Sequence, residues 1–421
     1  MYDYKNFPDY NMVCIDARSF FSSCEAVRRG YNPLKVFLCV VGDKKRNGSI
    51  VLAASPRLKE VYGINTTSRL YEVPRLDHIH IVEANMAYYL DMSVRITRFL
   101  TKYVPYDAIT QYSIDESWVY LGKSRIYGDK WNIARMIQRE IWETFGIPTA
   151  LGLGPNKLLA KLSLDLEAKK SKSGIAEITY EQVIEKVWPR NIEEMWGIGA
   201  RMKIRLNNMG IYRMEQLAKT PIEVLRSQFG VMGEQLYWHA HGIDTSPPTH
   251  HFDQAGQKGF GHGITLLRDY GGGNGEDVKC MILELCEEVA RRCRQAKRAA
   301  RTVHLQIGYS RYEEKKGFSR SRTIGRATNV TMDIYAVAIG IFEENYQRHL
   351  VRTVYVSLTN LVSDEDIQLD LFEDVTKKHA LGKVMDDIRA KYGSKALLRA
   401  ASFTPAGTMV ERSAKIGGHR A

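Results

Sequence analysis

Apolar residues along the first 170 positions switch between strand-like runs and helix-like spacing. MVCIDARSFF (residues 12–21) opens with a continuous apolar run, the mark of a buried strand. KVFLCVVGD and GSIVLAAS (residues 35–43 and 48–55) read as the arms of a hairpin turning around residues 44–48. Residues 84–104 have helical spacing, with Tyr88, Met92, Ile96 and Phe99 on one side. Two strand runs meet inside TQYSIDESWVYLG (residues 110–122). A helix over 130–145, a strand at PTALGLG (residues 148–154) and a helix over 156–168 follow.

Polarity rises across AKKSKSGI (residues 168–175), which marks a boundary. The block to about residue 246 consists of short helices separated by glycines, and DTSPPTHHFD (residues 244–253), broken by prolines, reads as a linker. Beyond residue 257 the predicted order is strand, long helix (276–299), strand TVHLQIGYS (302–310), strand (323–329), helix (332–347) and strand RTVYVSLTNLV (352–362). That is a two-layer β-α-β-β-α-β module. An acidic stretch, SDEDIQLDLFED (residues 363–374), leads to a helical segment and a tail containing glycines and charges. No repeat of 20–50 residues is present apart from two small glycine hairpins described below.

Composition narrows the class. A chain of 421 residues is too long for one ordinary core and predicts several domains. Apolar content of 44% and charged content of 26% are those of a globular protein. No apolar run reaches the ~18 residues that span a bilayer. The opening MYDYKNFPDYNM is polar and acidic, unlike a secretory signal. The expected location is the cytoplasm, with no membrane partner. Six cysteines (Cys14, Cys24, Cys39, Cys280, Cys286, Cys293) are scattered without a CxxC pair, so reduced thiols and no zinc site are expected. The histidines His239, His241, His250 and His251 lack a carboxylate cage and are not read as metal ligands.

Charge changes the picture more. The net charge is +12, and between Arg291 and Arg326 there are twelve Lys or Arg against two acids, Glu313 and Glu314. A concentrated basic patch of this kind points to a polyanion, and without an amphipathic membrane helix nucleic acid is the better match.

The candidate chemistry lies in the acids. In a regular strand Asp115 and Glu116 would point to opposite faces, so they can address one point only at a sharp turn or strand tip. Asp16 ends the apolar run MVCID, ahead of a loop with two aromatics. Three acids brought together repel unless divalent cations fill the gap, and hard oxygen ligands select Mg²⁺. Two such ions ~3.5–4 Å apart can clamp the attacking and leaving oxygens of a phosphoryl transfer. On spacing alone, a plain hairpin turn at IDE explains the same residues.

CIDARSFFSSCEA, YSIDESWV and GLGPNKLLAKLSLD occur in that order, and with them the whole chain resembles a Y-family DNA polymerase, the lesion-bypass class, of the UmuC-type branch. The fold this resemblance implies is α+β and multidomain. It is a right-hand polymerase with a palm (1–19 and 85–175), small fingers (20–84), a helix-hairpin-helix thumb (176–247), a β-α-β-β-α-β little finger (256–362) and a clamp-binding tail (363–421). The resemblance makes Asp16, Asp115 and Glu116 catalytic carboxylates holding two Mg²⁺ ions, with the carbonyl of Ala17 as a further ligand. Of the nucleotide-facing aromatics Phe20 and Phe21, Phe20 is also read as core packing. Phe21 takes the steric-gate position that excludes a 2′-hydroxyl.

In the fingers the family's usual Tyr and Arg slots hold Arg57 and Glu60, so either Arg57 or Lys59 supplies charge to the triphosphate. The phosphate-binding lysine falls on Lys169, with Lys170 one step away. MWGIGARMKIRLNNMGI (residues 195–211) fits helix-hairpin-helix spacing, with Gly197 and Gly199 allowing a turn whose N–H groups face a DNA phosphate. QFGVMGEQLYWHAHGID (residues 228–244) is a second such hairpin. In the little finger Arg298, Arg301, Arg311, Arg320, Arg322 and Arg326, on a basic helix and strands, would track the DNA backbone. QLDLF resembles the bacterial sliding-clamp motif. In it Gln368 bonds at the rim, Leu369 follows, and Leu371 and Phe372 fill an apolar pocket.

The implied activity is low-fidelity, template-directed DNA synthesis for lesion bypass. Its partners are primer-template DNA, a deoxynucleoside triphosphate and the sliding clamp, and the protein is expected to be a monomer. A catalytically idle DNA- and clamp-binding adaptor would need the basic patch and QLDLF but not the acids. A metal-dependent nuclease would use the same carboxylates.

Overall fold

Strand β1 (Met12–Ala17) is almost wholly buried, which is why its sequence shows no polar alternation. In the computed structural model, which describes residues 2–122, 128–249, 257–366 and 375–420, it is the middle of a five-stranded sheet. The order is β5-β6-β1-β7-β8, with β5 (Ile109–Gln111), β6 (Glu116–Tyr120), β7 (Thr149–Gly154) and β8 (Ile175–Glu177). β1 pairs antiparallel with both β6 and β7, and β8 joins β7 in parallel.

The period of two divides β1 between two layers. Val13, Ile15 and Ala17 pack with α3 (Met86–Leu100) and α4 (Lys130–Phe145), against Tyr89, Met92, Leu100, Ile133 and Ile137. Met12 and Cys14 pack with Trp118, Ala160 and Leu164 on the other face, under α5 (Lys157–Leu166). The buried stripe of α3 runs through Tyr89, Met92, Ser93, Thr97 and Leu100, one step round from the predicted set, with Tyr88, Ile96 and Phe99 at its flanks.

α5 lies unusually close to the sheet, because two strand positions beneath it have no side chain. A Cβ on Gly152 would meet Ala160 O at 2.1 Å and Leu164 N at 2.4 Å; one on Gly154 would meet Ala160 N at 2.5 Å. Close approach of this kind is what strand glycines permit.

α1 (Phe20–Arg28) leads from β1 to a second sheet, ordered β3-β2-β4, of β2 (Phe37–Val41), β3 (Val51–Ala54) and β4 (Ile79–Glu83), carrying α2 (Pro56–Tyr62). The β2–β3 hairpin is as predicted. β4 was not anticipated; it pairs in parallel with β2 across a long excursion, so no local turn signal announces it. Residues 200–240 form α6 (Ala200–Asn208), α7 (Met214–Lys219), α8 (Ile222–Phe229) and α9 (Val231–Ala240). They enclose Leu206, Leu217, Leu225 and Leu236 in a core that also takes Leu158, Leu159 and Leu162 of α5.

These elements belong to one unit, residues 1–252 with 419–421; residues 253–418 form a second. The second has the predicted β-α-β-β-α-β order: β9 (Gly259–Tyr270), α10 (Glu276–Gln295), β10 (Arg298–Tyr309), β11 (Gly317–Thr328), α11 (Thr331–Asn345) and β12 (Val351–Ser363). Its sheet order is β11-β10-β12-β9, antiparallel throughout. α10 stops earlier than the predicted residue 299, because Lys297 turns left-handed (φ +51°) and β10 begins at Arg298. β11 starts at residue 317 rather than 323. It is an edge strand rich in Ser and Arg, so apolar patterning misses its first half.

The segment after residue 375 packs as part of this unit rather than standing free. α12 (Val375–Tyr392) lies on α10 through Arg294–Asp386 at 2.7 Å. Buried Glu287 of α10 pairs with Arg389 (3.0 Å) and Arg399 (2.5 Å), and buried Glu284 accepts from Thr408. Among the described residues no helix is long and apolar enough to cross a membrane.

Candidate active site

The acids meet at one end of the five-stranded sheet. Asp16 and Glu116 are direct cross-strand partners in the β1–β6 ladder, and the Ala17 N–H donates to the Asp115 carbonyl at 2.9 Å. Residues 113–115 form the bend that the adjacent carboxylates required. The N–H groups of Tyr112 and Ser113 both donate to the Glu116 carbonyl (2.9 and 3.1 Å), and Ser113 Oγ donates to Asp115 Oδ1 at 2.6 Å. Of the two sequence readings, plain turn and converging site, the geometry combines both: a turn that delivers Asp115 to the tip beside Asp16.

Asp16 and Glu116 share the sheet face under α5, and α5 answers them with charge. Lys161 Nζ lies 2.7 Å from Glu116 Oε2, both side chains only 8% exposed. It lies 3.2 Å from Asp165. One turn further, Lys169 Nζ stands 2.9 Å from both Asp16 Oδ2 and Asp165 Oδ1. The Cys14 thiol donates to Glu116 Oε1 at 3.2 Å.

Burial pushes the Asp16 carboxyl above its ordinary value; Lys169 opposes the shift and Asp115 reinforces it, with the balance upward. Burial alone would lower both lysines, yet the hydrogen bond to Glu116 carries Lys161 above its usual value, and Asp16 with Asp165 carries Lys169 well above. Burial raises the Cys14 thiol strongly and Glu116 adds to it, so Cys14 is a proton donor here rather than a thiolate.

The donor set suits a hard divalent cation: Asp16 and Asp115 bring carboxylates close enough to repel one another at a partly buried point. Glu116 joins them with a partner on each oxygen, Lys161 Nζ on Oε2 and the Cys14 thiol on Oε1. Among the described residues no three ligating side chains form a ready-made metal cage.

The other candidates separate cleanly. Phe20 is 3% exposed and belongs to the core, so it cannot face a nucleotide. Phe21 is half-buried and stacked on Tyr89, centroids 4.6 Å apart and planes at 15°. Tyr89 is itself fixed by a 2.8 Å hydrogen bond to buried Glu25. On α2, Lys59 reaches Ser19 Oγ at 2.9 Å, and burial lowers its ammonium while Asp16 pulls it up. Arg57 instead pairs with Glu60 and sits over the Phe37 ring. Lys170 is exposed, so Lys169 is the lysine at the acids. Gly197 needs its glycine for φ +94°, Gly199 caps α6, and nothing lies within 4 Å of where either side chain would begin.

The six arginines do not form one track. Arg298 lies on a strand, not on a helix, and is exposed like Arg301, which sits at a register shift of β10. Arg320 and Arg322 pair with Leu305 and Val303, hence on the helix-covered side of the sheet, where Arg322 meets Glu344 at 2.7 Å. Arg326 is 3.8 Å from Asp333, and Arg311 stacks on Tyr312. Arg320 and Arg322, two apart on β11, share a face, while Arg298 and Arg301 belong to β10 and Arg311 to the turn between the two strands. Gln368, Leu369, Leu371 and Phe372 lie outside the described residues.

Sequence reading missed Lys161, Asp165 and Arg18, whose guanidinium donates to the Lys169 carbonyl at 3.3 Å. A signal for the first two was present: charges at 157, 161 and 165 recur every four residues along a largely apolar helix, and Lys169 continues the spacing in the turn that follows.

Residues 15–165 match the impB/mucB/samB family, residues 257–371 match that family's C-terminal domain, and residues 193–244 match the thumb domain of DNA polymerase-iota. The chain is 49% identical over its full length, and the full length of the relative, to UvrX of Bacillus subtilis (strain 168), provisionally named a UV-damage repair protein. It is 39% identical to DNA polymerase IV 2 of the same organism, covering 96% of this chain and 97% of that one. A Y-family DNA polymerase chimera of Dbh and Dpo4 has the same fold at 20% identity, with a TM-score of 0.64, over 84% of this chain and 99% of its own.

Proposed function

The chain belongs to the Y family of DNA polymerases, the impB/mucB/samB family, and from that membership we propose that it extends a DNA primer opposite damaged template positions with low fidelity. The observation that carries this reading is the meeting of Asp16 with Asp115 at one sheet end, flanked by Lys59 and Lys169.

In this proposal residues 1–19 and 85–175 are the palm, 20–84 the fingers, 176–247 the thumb and 256–362 the little finger. Asp16, Asp115, Glu116 and the Ala17 carbonyl would hold Mg²⁺. Bound there, the ions would neutralise phosphate charge and acidify the primer 3′-hydroxyl. Lys169, Lys59 and Arg18 place three cations around those acids, where a triphosphate can exchange its oxygens for the internal carboxylate contacts of Lys169. Phe21, stiffened by its stack on Tyr89, offers a flat wall that a deoxyribose clears and a 2′-hydroxyl meets. The Gly197–Gly199 turn and exposed Arg298, Arg301 and Arg311 contact phosphates without reading sequence. Duplex affinity then falls with salt, by roughly 0.9 in log K per unit of log[salt] for each phosphate neutralised. Gln368–Phe372 dock on the sliding clamp.

Primer extension tests the reading. The purified protein, given primer-template, Mg²⁺ and the four deoxynucleotides, should lengthen the primer by bases that the template dictates, including across a lesion. Shortening of the primer would indicate a nuclease, and clamp and DNA binding without extension would indicate an adaptor.

A further inference from the structure

Trp196 stands where two cores meet. It packs against the core enclosed by α6 to α9, and against the one under α5 that holds Met12, Cys14 and Trp118. Two rings of the β5–β6 hairpin face it: Trp118, with centroids 5.3 Å apart and planes at 68°, and Tyr112, at 6.0 Å and 74°. The Trp196 Nε1–H also donates to the Tyr112 hydroxyl at 3.3 Å, and Tyr112 in turn lies on Trp118 at 4.8 Å. Trp118 is buried, but Tyr112 is 52% exposed. Stabilisation by burial scales with the area taken from water, so core packing alone does not account for a bridge that ends on an exposed, hydrogen-bonded phenol.

Each end of the bridge adjoins a working part of the molecule. Tyr112 opens the bend that delivers Asp115, and its N–H donates to the Glu116 carbonyl at 2.9 Å. Trp118 lies two residues beyond Glu116 on the same sheet face, opposite Cys14 as Glu116 is opposite Asp16. Trp196 immediately precedes Gly197, whose φ of +94° begins the Gly197–Gly199 turn. Behind the indole, His239 of α9 is buried with its ring plane at 14° to that of Trp196.

We infer that Tyr112 and Trp196 are a pair of positioning residues: their contact sets the distance between the phosphate-holding turn and the acid tip, and so brings the primer 3′-hydroxyl to Asp16 and Asp115. The inference rests on the polymerase reading. Reacting atoms tolerate little misplacement, and a shift of about 1 Å costs on the order of 10²-fold in rate. Phosphate contacts are less exacting, because they hold the backbone without reading it. Breaking the bridge therefore parts rate from grip: the duplex stays bound while the primer end falls out of line with the acids.

The test is single-nucleotide insertion by the full chain at saturating primer-template and deoxynucleotide, beside DNA affinity by fluorescence anisotropy. Tyr112→Ala and Trp196→Leu should each lower the insertion rate at least about tenfold while the DNA Kd stays within about threefold of wild type. The double variant should be no slower than the slower single one, because either change breaks the same contact. Tyr112→Phe, which keeps the ring contacts and loses one hydrogen bond, should insert within about threefold of wild type. Unchanged insertion in the single variants, affinity that falls as far as the rate, or losses that multiply in the double variant would each overturn the inference. If Trp196→Leu does not fold, Tyr112→Ala decides through hydrogen exchange, since its altered side chain is exposed. Primer-template should slow amide exchange over residues 110–118 in wild type and not in Tyr112→Ala; slowing that persists in the variant overturns the inference. A wild type that binds primer-template and slows this exchange without inserting nucleotides removes the polymerase reading alone. Insertion by wild type and both single variants at one rate removes the bridge alone.

Discussion

Replacing Gly152 by alanine is the sharpest way to ask whether the seating of α5 holds the site together. The new Cβ would stand 2.1 Å from Ala160 O, where ordinary contact begins near 3.4 Å, so something must move by about 1.3 Å. Both nearest atoms, Ala160 O and Leu164 N, are helix backbone, so no side-chain rotation relieves the clash. The whole of α5 must lift, and a lift of about 1.3 Å along the contact would stretch the 2.7 Å Lys161–Glu116 pair to about 4.0 Å. Overpacking costs typically 1–3 kcal/mol, and parting a buried ion pair adds to it, so a loss of about 3 kcal/mol or more is expected. The six tryptophans, Trp118, Trp131, Trp142, Trp188, Trp196 and Trp238, all lie in the first unit, so their fluorescence in urea reports that unit's unfolding without interference from the second. Gly48→Ala is the control. Nothing lies within 4 Å of its Cβ position, and a change within about 0.5 kcal/mol is expected. A Gly152→Ala protein as stable as that control would refute the argument that close backbone approach delivers Lys161.

Phe21→Ala should raise ribonucleotide insertion at least about tenfold while deoxynucleotide insertion persists; unchanged sugar selectivity in single-nucleotide insertion assays would remove the gate. Burial pushes Glu287 up, but Arg399 and Arg389 outweigh it and hold its carboxyl below the ordinary glutamate value. A depressed carboxyl stabilises above its unfolded value, about pH 4.3, and that contribution is lost as pH falls through the lower folded value. Hydrogen exchange of α12 should therefore speed up below about pH 4, and Arg399→Met should remove much of that pH dependence. Protection of α12 indifferent to acid would count against Glu287 as the group that holds α12 on α10. Changing Leu371 and Phe372 together to alanine should abolish co-elution with the sliding clamp and leave clamp-free extension untouched.

The sequence carried most of the second unit because its helices and strands follow one another with clear periods, and β10 and β12 are apolar enough to show. It carried the ends of β1 and β6 because Asp16 and Asp115 interrupt apolar runs. It lost β4, which depends on a distant parallel partner, and the first half of β11, an edge strand with Arg on one face and Ser on the other. Lys161 and Asp165 escaped notice for a different reason. Charges on a helix ordinarily face water, and only the glycine-bared strand beneath shows that these two face inward. The choice between Arg57 and Lys59 was likewise undecidable from spacing; it turns on which face of α2 lies toward Ser19.

The most direct measurement is primer extension by wild type against Asp16→Ala and Asp115→Ala, each checked for intact folding and DNA binding. If carboxylates far apart in sequence but on neighbouring strands together form the reaction centre, each single change lowers the rate by at least on the order of 10³ while DNA affinity holds. Extension by either variant at the wild-type rate would contradict the account at its foundation.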